Sequence, residues 1–496
     1  MRAHAGWGLA LAAALGAGPA AAVDLPMAGA SLKLVAPSAA EGRRIVFRSA
    51  VDPALGGPFP DPTLGAELRI FAGNGPGQCR VDVALDPSLW SPIGDDGAAR
   101  GWRWVDKAAA TAGVKKILVK RVAGGGRMLV KLKGGAIPCD LGAAQNLPVA
   151  IELAVQDTRW CAAFADQIRN EPGRFKAKNA PAPDACLDRD VTVANLNVLH
   201  GFGCAGQCRL PERIDLLADW IALRGCPDVV TLQEVISIDL VEFSIPELVE
   251  ERVLDVCPHP YEMVFIASNG IDDAIVLSRH PVLDASVTPL LVGFRHVLHA
   301  RIDHPVGPVD VFTTHLASGS DGATNPCGVS CPAECVMAGA TTVRECQAEQ
   351  TALVVEALHD VPGPAFLTGD MNAEPGDFEI GRFTGRGWID TYLAAGNAEC
   401  DGLTGAGCTG GRSEAQMEDP ALNVDERIDY VFLVPSAPAG GCADTIDGPG
   451  DDDGDGTATR LFADAPNPFA PSCGALPDPI CWPADHVGVE ADVNCE

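Results

Sequence analysis

The chain changes character near residue 190, and that change limits it to two unlike parts. Up to Arg189 it holds all nine of its lysines and a formal charge of +6; from Asp190 onward it has no lysine and a charge of −36. A split of that size marks a domain boundary, and 496 residues are long for one domain. The patterning switches at the same place. Residues 31–35, 44–48, 67–71, 116–120, 128–133 and 149–153 alternate apolar and polar side chains in short runs between turn signals, which predicts an antiparallel β-sandwich. Its lysines and arginines mostly form the outward half of those strands. They read either as a solvated face or as an adapter for an anionic surface or polymer. The expected division is a signal peptide over 1–22, an all-β sandwich over 23–168, a linker over 169–190 and a mixed α/β domain over 191–496. The linker expectation rests on Glu171-Pro172-Gly173 and Ala180-Pro181-Ala182-Pro183.

The first residues combine a charged start, an apolar stretch from Gly6 to Gly16 and a small-residue exit at Ala20-Ala21-Ala22. That is the pattern of a secretory signal peptide, and the apolar stretch is too short for a spanning helix. No later segment is long and apolar enough for a transmembrane helix, so a secreted or periplasmic protein is expected. The 18 cysteines, none of them in the signal segment, agree with an oxidising compartment and predict disulfides. A zinc site built from Cys204 and Cys208, or from Cys327, Cys331, Cys335 and Cys346, is the alternative, but their spacing is not a paired C-x-x-C.

Beyond residue 190, strands and helices mix. Residues 191–197, 228–234, 274–279 and 309–315 are apolar runs read as strands, and helical periodicity covers 209–223 and 344–359. Asn197, Glu234, His315, Asp370 and Asn372 come late in a strand or just after it, whereas Asp429, Asp485 and His486 come before one. If the second set of strands is antiparallel to the first, all of these groups reach one edge. In Thr368-Gly369-Asp370-Met371-Asn372, residues two apart point to the same side of an extended segment, so Asp370 and Asn372 face one ligand together. Gly369 lets the backbone approach that ligand. Each element has a plain alternative: Gly-Asp-x-Asn is ordinary turn chemistry, a histidine at a strand end is commonly a satisfied hydrogen-bonding group, and Arg427-Ile428-Asp429 also reads as a surface ion pair.

Taken in order, the motifs Asn-Leu-Asn197-Val, Leu-Gln-Glu234, Ile-Val-Leu-Ser-Arg279-His-Pro, Thr-His315-Leu, Gly-Asp370-Met-Asn372, Arg427-Ile-Asp429-Tyr-Val-Phe and Asp485-His486 resemble those of the endonuclease/exonuclease/phosphatase superfamily. The resemblance covers about residues 191–493. It implies a DNase I-like four-layer α/β/β/α sandwich and metal-dependent hydrolysis of a phosphoester. Glu234 and Asp485, with Asp370 and Asn197, are then the candidate metal-site residues, and their hard oxygens suit Mg²⁺ or Mn²⁺. His486 is the candidate general base, with Asp429 orienting it as the family pattern implies. Asp370 and Asn372 position the nucleophile and a phosphate oxygen, and His315 donates a hydrogen bond or proton to the phosphate or leaving group. Asn197, Arg279 and Asn372 are the candidate substrate-binding groups.

The chain departs from the pattern at Ala484, where the family often has Ser, and in two cysteine-bearing insertions at about 317–346 and 434–483. Inside the second, Asp451-Asp452-Asp453-Gly454-Asp455-Gly456 resembles a calcium loop, but position twelve is Phe462 rather than an acid. It reads as a structural Ca²⁺ site or as a solvated acidic turn. The acidic, lysine-free second part does not favour nucleic acid by charge, although family members that cut DNA use local arginines and divalent ions. An extracellular nuclease, a sphingomyelinase-like enzyme acting on a phospholipid headgroup and a phosphatase acting on a soluble ester all fit the motifs. A non-catalytic surface-binding protein is the reading from a different class.

Overall fold

The short alternating runs of the N-terminal part become two sheets. The computed structural model describes residues 23–36, 40–73, 77–94, 100–156, 158–183, 186, 190–201, 206–238, 241–292, 294–361, 363–413, 417–421, 424–435, 445–446, 458–470, 473–474 and 480–495. The five-stranded sheet is ordered Val23–Pro26, Thr158–Phe164, Val149–Val155, Ala66–Phe71 and Arg80–Ala84. The eight-stranded sheet is ordered Gln167–Glu171, Arg174–Ala180, Gly29–Val35, Arg44–Ser49, Gly125–Lys133, Val114–Val122, Gly101–Val105 and Trp90–Pro92. Leu32, Phe47, Leu68, Ile117, Val130, Ile151 and Phe164 turn inward from both sheets into one core, as period-two strands packed face to face require.

The linker expected over 169–190 is strand and turn as far as Ala180. Gln167–Glu171 and Arg174–Ala180 form a hairpin at the edge of the eight-stranded sheet, with Phe175 opposite Leu34 and Ala177 opposite Leu32. Pro172-Gly173 is the turn of that hairpin, with Gly173 at φ 80°, and Pro-Gly punctuates a hairpin as readily as a linker. Cys186 is joined by a disulfide to Cys161 on the five-stranded sheet.

The second part is a four-layer sandwich. One sheet runs Glu262–Phe265, Asp273–Ser278, Val229–Val235, Asp190–Asn197, Gly488–Asn494 and Thr445–Ile446, with Arg460–Phe462 also paired to Gly488–Asn494. The other runs Val282–Pro289, His296–His304, Gly307–His315, Ala365–Asp370, Asp429–Val434 and Ile389–Asp390. Val193, Val276, Val311, Phe366 and Val431 fill the space between them. Helices Gly206–Leu223 and Ile245–Arg252 cover the outside of the first sheet, and helices Val343–Leu358 and Phe378–Thr384 cover the second. Among the described residues no helix is long and apolar enough to cross a membrane.

The described cysteines of the two candidate zinc groups are oxidised. Cys327 pairs with Cys331 and Cys335 with Cys346; Cys208 is also disulfide-bonded, and Cys204 lies outside the described residues. The signal segment 1–22 and the acidic loop 451–456, with its candidate Ca²⁺ site, lie outside them too.

A buried carboxylate fastens helix Val343–Leu358 to the second sheet. Asp310 accepts from His299 at 2.9 Å, Arg301 at 2.8 Å and His359 at 2.9 Å. Burial would raise its carboxyl, but these bonds outweigh it and hold the group below the usual carboxylate range. A depressed folded-state pKa contributes stability that is present above the unfolded value of about 4 and is lost as pH falls below it. Urea denaturation at pH 6 and pH 3 is therefore expected to show a smaller acid-induced loss for Asp310→Asn than for the parent. Equal losses would remove Asp310 from the acid response.

Candidate active site

Pairing directions decide what reaches the edge. Asp190–Asn197 is parallel to Val229–Val235, and Gly307–His315 is parallel to Ala365–Asp370, so these four strands deliver their C-terminal ends together. Asp429–Val434 runs antiparallel with Asp429 opposite Asp370, and Gly488–Asn494 runs antiparallel to Asp190–Asn197. Asn197, Glu234, His315, Asp370, Asn372, Asp429, Asp485 and His486 are thereby gathered at one edge of the two sheets.

Glu234 sits in a register irregularity between Leu232 and Val235, with φ 57°. A bulge of this kind re-aims one side chain out of the strand's alternation, and a non-glycine residue held there is strained in a way that clusters at functional sites. The Glu234 carboxylate accepts from the Asn197 amide at 3.0 Å and from the His200 backbone N–H at 3.2 Å. Burial pushes this carboxyl up, yet His315, His200 and the Asn197 bond overcome burial and hold it at about 2. The same Asn197 amide donates to Asp370 at 3.0 Å, while the Asn197 carbonyl oxygen accepts from Leu199 N–H at 3.0 Å. Asn197, expected among the metal-site residues, bridges two carboxylates through its amide nitrogen while its oxygen accepts from backbone.

Asp370 also lies 3.3 Å from His315 Nε2 and 3.8 Å from His486 Nε2. Asn372 reaches His315 Nε2 at 2.9 Å, and its backbone N–H donates to Asp370 at 2.8 Å. The strand has ended at Asp370, so this turn contact, rather than strand alternation, brings the two side chains together. Gly369 serves a different approach from the one expected. With φ 144°, a Cβ there would lie 1.9 Å from the Thr314 carbonyl oxygen, so the glycine admits the neighbouring strand and not a ligand.

His486 Nδ1 lies 2.8 Å from Asp429. Burial would lower the ring, but the Asp429, Asp370 and Asp485 carboxylates hold it well above the usual histidine value. His315 is the opposite case: burial, and then the Arg295 charge, bring it down to about 4. Arg295 contacts His315 Nδ1 and also pairs with Asp272. Asp272 itself lies 3.0 Å from His315 Nδ1.

Arg279 is not at this edge. Asp273–Ser278 runs antiparallel to Val229–Val235, so Ser278 lies opposite Val229 and Arg279 at the far end of the sheet, donating to the Cys226 carbonyl and lying 3.9 Å from Asp228. Asp272, just before the start of that strand, reaches the site instead. Asp272, Arg295 and His200 were not singled out from the sequence. Asp272 obeys the same polar-first rule that exposed Asp429 and His486, whereas no motif marks Arg295 or His200.

One arginine fixes the loops that carry these groups. Arg213, fully buried on helix Gly206–Leu223, donates to the carbonyls of Val198 at 2.6 Å, Leu199 at 2.9 Å, Cys208 at 2.9 Å, Gln207 at 3.1 Å and Pro483 at 3.0 Å. Pro483 stands two residues before Asp485, and Val198 follows Asn197.

The donor set fits a hard divalent cation. Asp485 Oδ1 is buried with no hydrogen-bond partner. Burial, with the Glu234 charge adding to it, pushes the Asp485 carboxyl up to about 6 against the pull of His486. Glu234 and Asp485, with Asp370 next to them, supply the oxygens that such an ion takes.

Two packed sheets flanked by helices, with carboxylates and two histidines at one edge, define a metal-dependent phosphoesterase. A model of the Endonuclease/Exonuclease/phosphatase family matches residues 194–486. The chain belongs to that family. Among solved structures, truncated Caenorhabditis elegans TDP2 is similar at 18% identity over 62% of this chain and 97% of that one, with a TM-score of 0.39. D. rerio TDP2 complexed with a single-strand DNA product is similar at 19% identity over 62% and 100%, with a TM-score of 0.39. A Bacteroides thetaiotaomicron mannosyl-6-phosphatase is similar at 15% identity over 61% and 99%, also with a TM-score of 0.39. No curated protein matches the chain.

Proposed function

We propose that the chain is an exported phosphodiester hydrolase that uses Mg²⁺ or Mn²⁺ and acts as an extracellular nuclease. The observation that carries the reading is the pairing of an ionised Glu234 with an Asp485 oxygen that has no protein partner, both beside the His486–Asp429 pair. Export is supported by the signal-like start and by the disulfides.

Glu234, Asp485 and Asp370 would hold the cation. When bound, it would polarise the phosphoryl oxygens, stabilise charge on the leaving oxygen and, by offsetting the carboxylates, weaken the hold of His486 on its proton. His486 Nε2 then accepts the proton of the attacking water, and Asp429 orients the ring through Nδ1 and stabilises the resulting imidazolium. His315, held in place by Arg295 and Asp272, donates a hydrogen bond to a phosphate oxygen. Asn372 joins it at that oxygen, and Asn197 keeps the two carboxylates aligned.

Hydrolysis of bis(p-nitrophenyl) phosphate by the mature protein is expected to require Mg²⁺ or Mn²⁺ and to stop on chelation. Glu234→Gln should lower turnover by about 10²- to 10³-fold, equivalent to the several kcal/mol that a Lewis-acid ion supplies. Turnover that survives chelation would refute the reading.

A phospholipid headgroup is the second reading, favoured by exposed Val292 and Phe294 beside Arg295 and by exposed Val329, Val336 and Met337 on the disulfide-closed insertion. Parallel assays on DNA, RNA and sphingomyelin separate the two.

A further inference from the structure

The outward face of the eight-stranded sheet is charged in a way that solvation alone does not call for. On its strands Arg174–Ala180, Gly29–Val35, Arg44–Ser49, Gly125–Lys133, Val114–Val122 and Gly101–Val105, every charged residue is Lys or Arg. The register sets like charges directly opposite one another: Lys176 faces Lys33, Lys131 faces Lys116, Arg44 faces Lys133 and Lys120 faces Arg127. Such cross-strand pairs destabilise a sheet, and among the described residues none of these side chains forms an ion pair with a carboxylate. The five-stranded sheet differs, because Arg69 and Arg159 are paired to Asp82 and Asp24.

Among the described residues, the contacts between the two parts of the chain do not use this face. The sandwich meets the catalytic part through the other sheet and its loops: Arg80 donates to the carbonyls of Pro305 and Val306, and Asn146 donates to Asp303.

We propose that this face is a docking surface for the phosphate backbone of duplex DNA. The proposal rests on the nuclease reading and explains how an enzyme whose catalytic part has no lysine and a charge of −36 holds a polyanion. Lys176, Lys33, Lys131 and Lys116 lie in one register row, with Val46 between Lys33 and Lys131. At about 4.8 Å per strand the row spans about 19 Å, close to the width of a duplex. Trp102, Trp104, Phe47 and Phe175 are turned into the core, so the face offers no aromatic ring for unpaired bases to stack on. Ile168, at the edge strand, is the exposed large apolar side chain on this sheet, which leaves little to insert into a bilayer.

The test is fluorescence-anisotropy binding of a labelled duplex to the full mature protein in EDTA. The comparison is a variant carrying Lys33→Gln, Lys116→Gln, Lys131→Gln and Lys176→Gln together. With about four phosphates engaged, wild-type affinity should fall about 150-fold between 50 and 200 mM salt, a log–log slope of about −3.6. The variant should bind far more weakly with a distinctly shallower slope, hydrolyse bis(p-nitrophenyl) phosphate at the wild-type rate and melt no lower than wild type. Equal duplex affinity of the two proteins overturns the proposal, as does a wild-type preference for phosphatidylserine vesicles over duplex. Lysine-dependent duplex binding without DNA cleavage in Mg²⁺ would sink the nuclease reading and leave the docking surface standing.

Discussion

Replacing His486 by alanine is expected to lower turnover of bis(p-nitrophenyl) phosphate by about 10³- to 10⁴-fold, the upper range for loss of a positioned general base. The ring stands 3.8 Å from Asp370 and is held at 2.8 Å by Asp429, so its removal takes the proton acceptor and leaves a buried carboxylate without its cation. Asp429→Asn should fall between the variant and the parent, because the ring remains but loses its orienting charge. Circular dichroism on the purified variants separates a chemical loss from an unfolded one. Folded His486→Ala protein that retains activity within tenfold of the parent would remove this residue from the reaction.

The second large effect is on stability. Arg213→Ala withdraws donors from five backbone carbonyls, each of which then carries a desolvation cost. A loss of about 3–5 kcal/mol in unfolding free energy is expected, comparable to breaking a buried charged network. The midpoint of urea denaturation measures it. Activity should fall too, because the carbonyls concerned belong to the loops that set Asn197 and Asp485 in place. Arg213→Lys should recover only part of both, since an ammonium cannot span five acceptors in a planar fork. A loss below about 1 kcal/mol would show that the loops hold themselves.

Much of the site was legible because it follows from strand polarity. Asn197, Glu234, His315 and Asp370 end strands; Asp429 and His486 begin antiparallel ones; and a single edge follows. Arg279 entered through its family-like motif and not through this rule: its strand is antiparallel to that of Glu234, so Asp272 and not Arg279 reaches the edge. The bulge that aims Glu234 leaves no local mark in Leu-Gln-Glu. Arg295 acts through a tertiary contact with His315, and nothing in its neighbourhood announces that. The hairpin taken for a linker shows the limit of punctuation, because Pro172-Gly173 ends a strand equally well whether another strand follows or not. The alternating charges on the sandwich strands were visible, but only register reveals that lysines face lysines.

The bond between the two halves of the molecule has its own evolutionary consequence. Arg80 grips Pro305 and Val306 solely by their carbonyl oxygens, which every amino acid possesses. Residues 305 and 306 can therefore change identity without losing those two bonds so long as the loop keeps its path, whereas the neighbouring bond from Asn146 to Asp303 depends on particular side chains. Homologues should accordingly vary there more than at Arg80 itself.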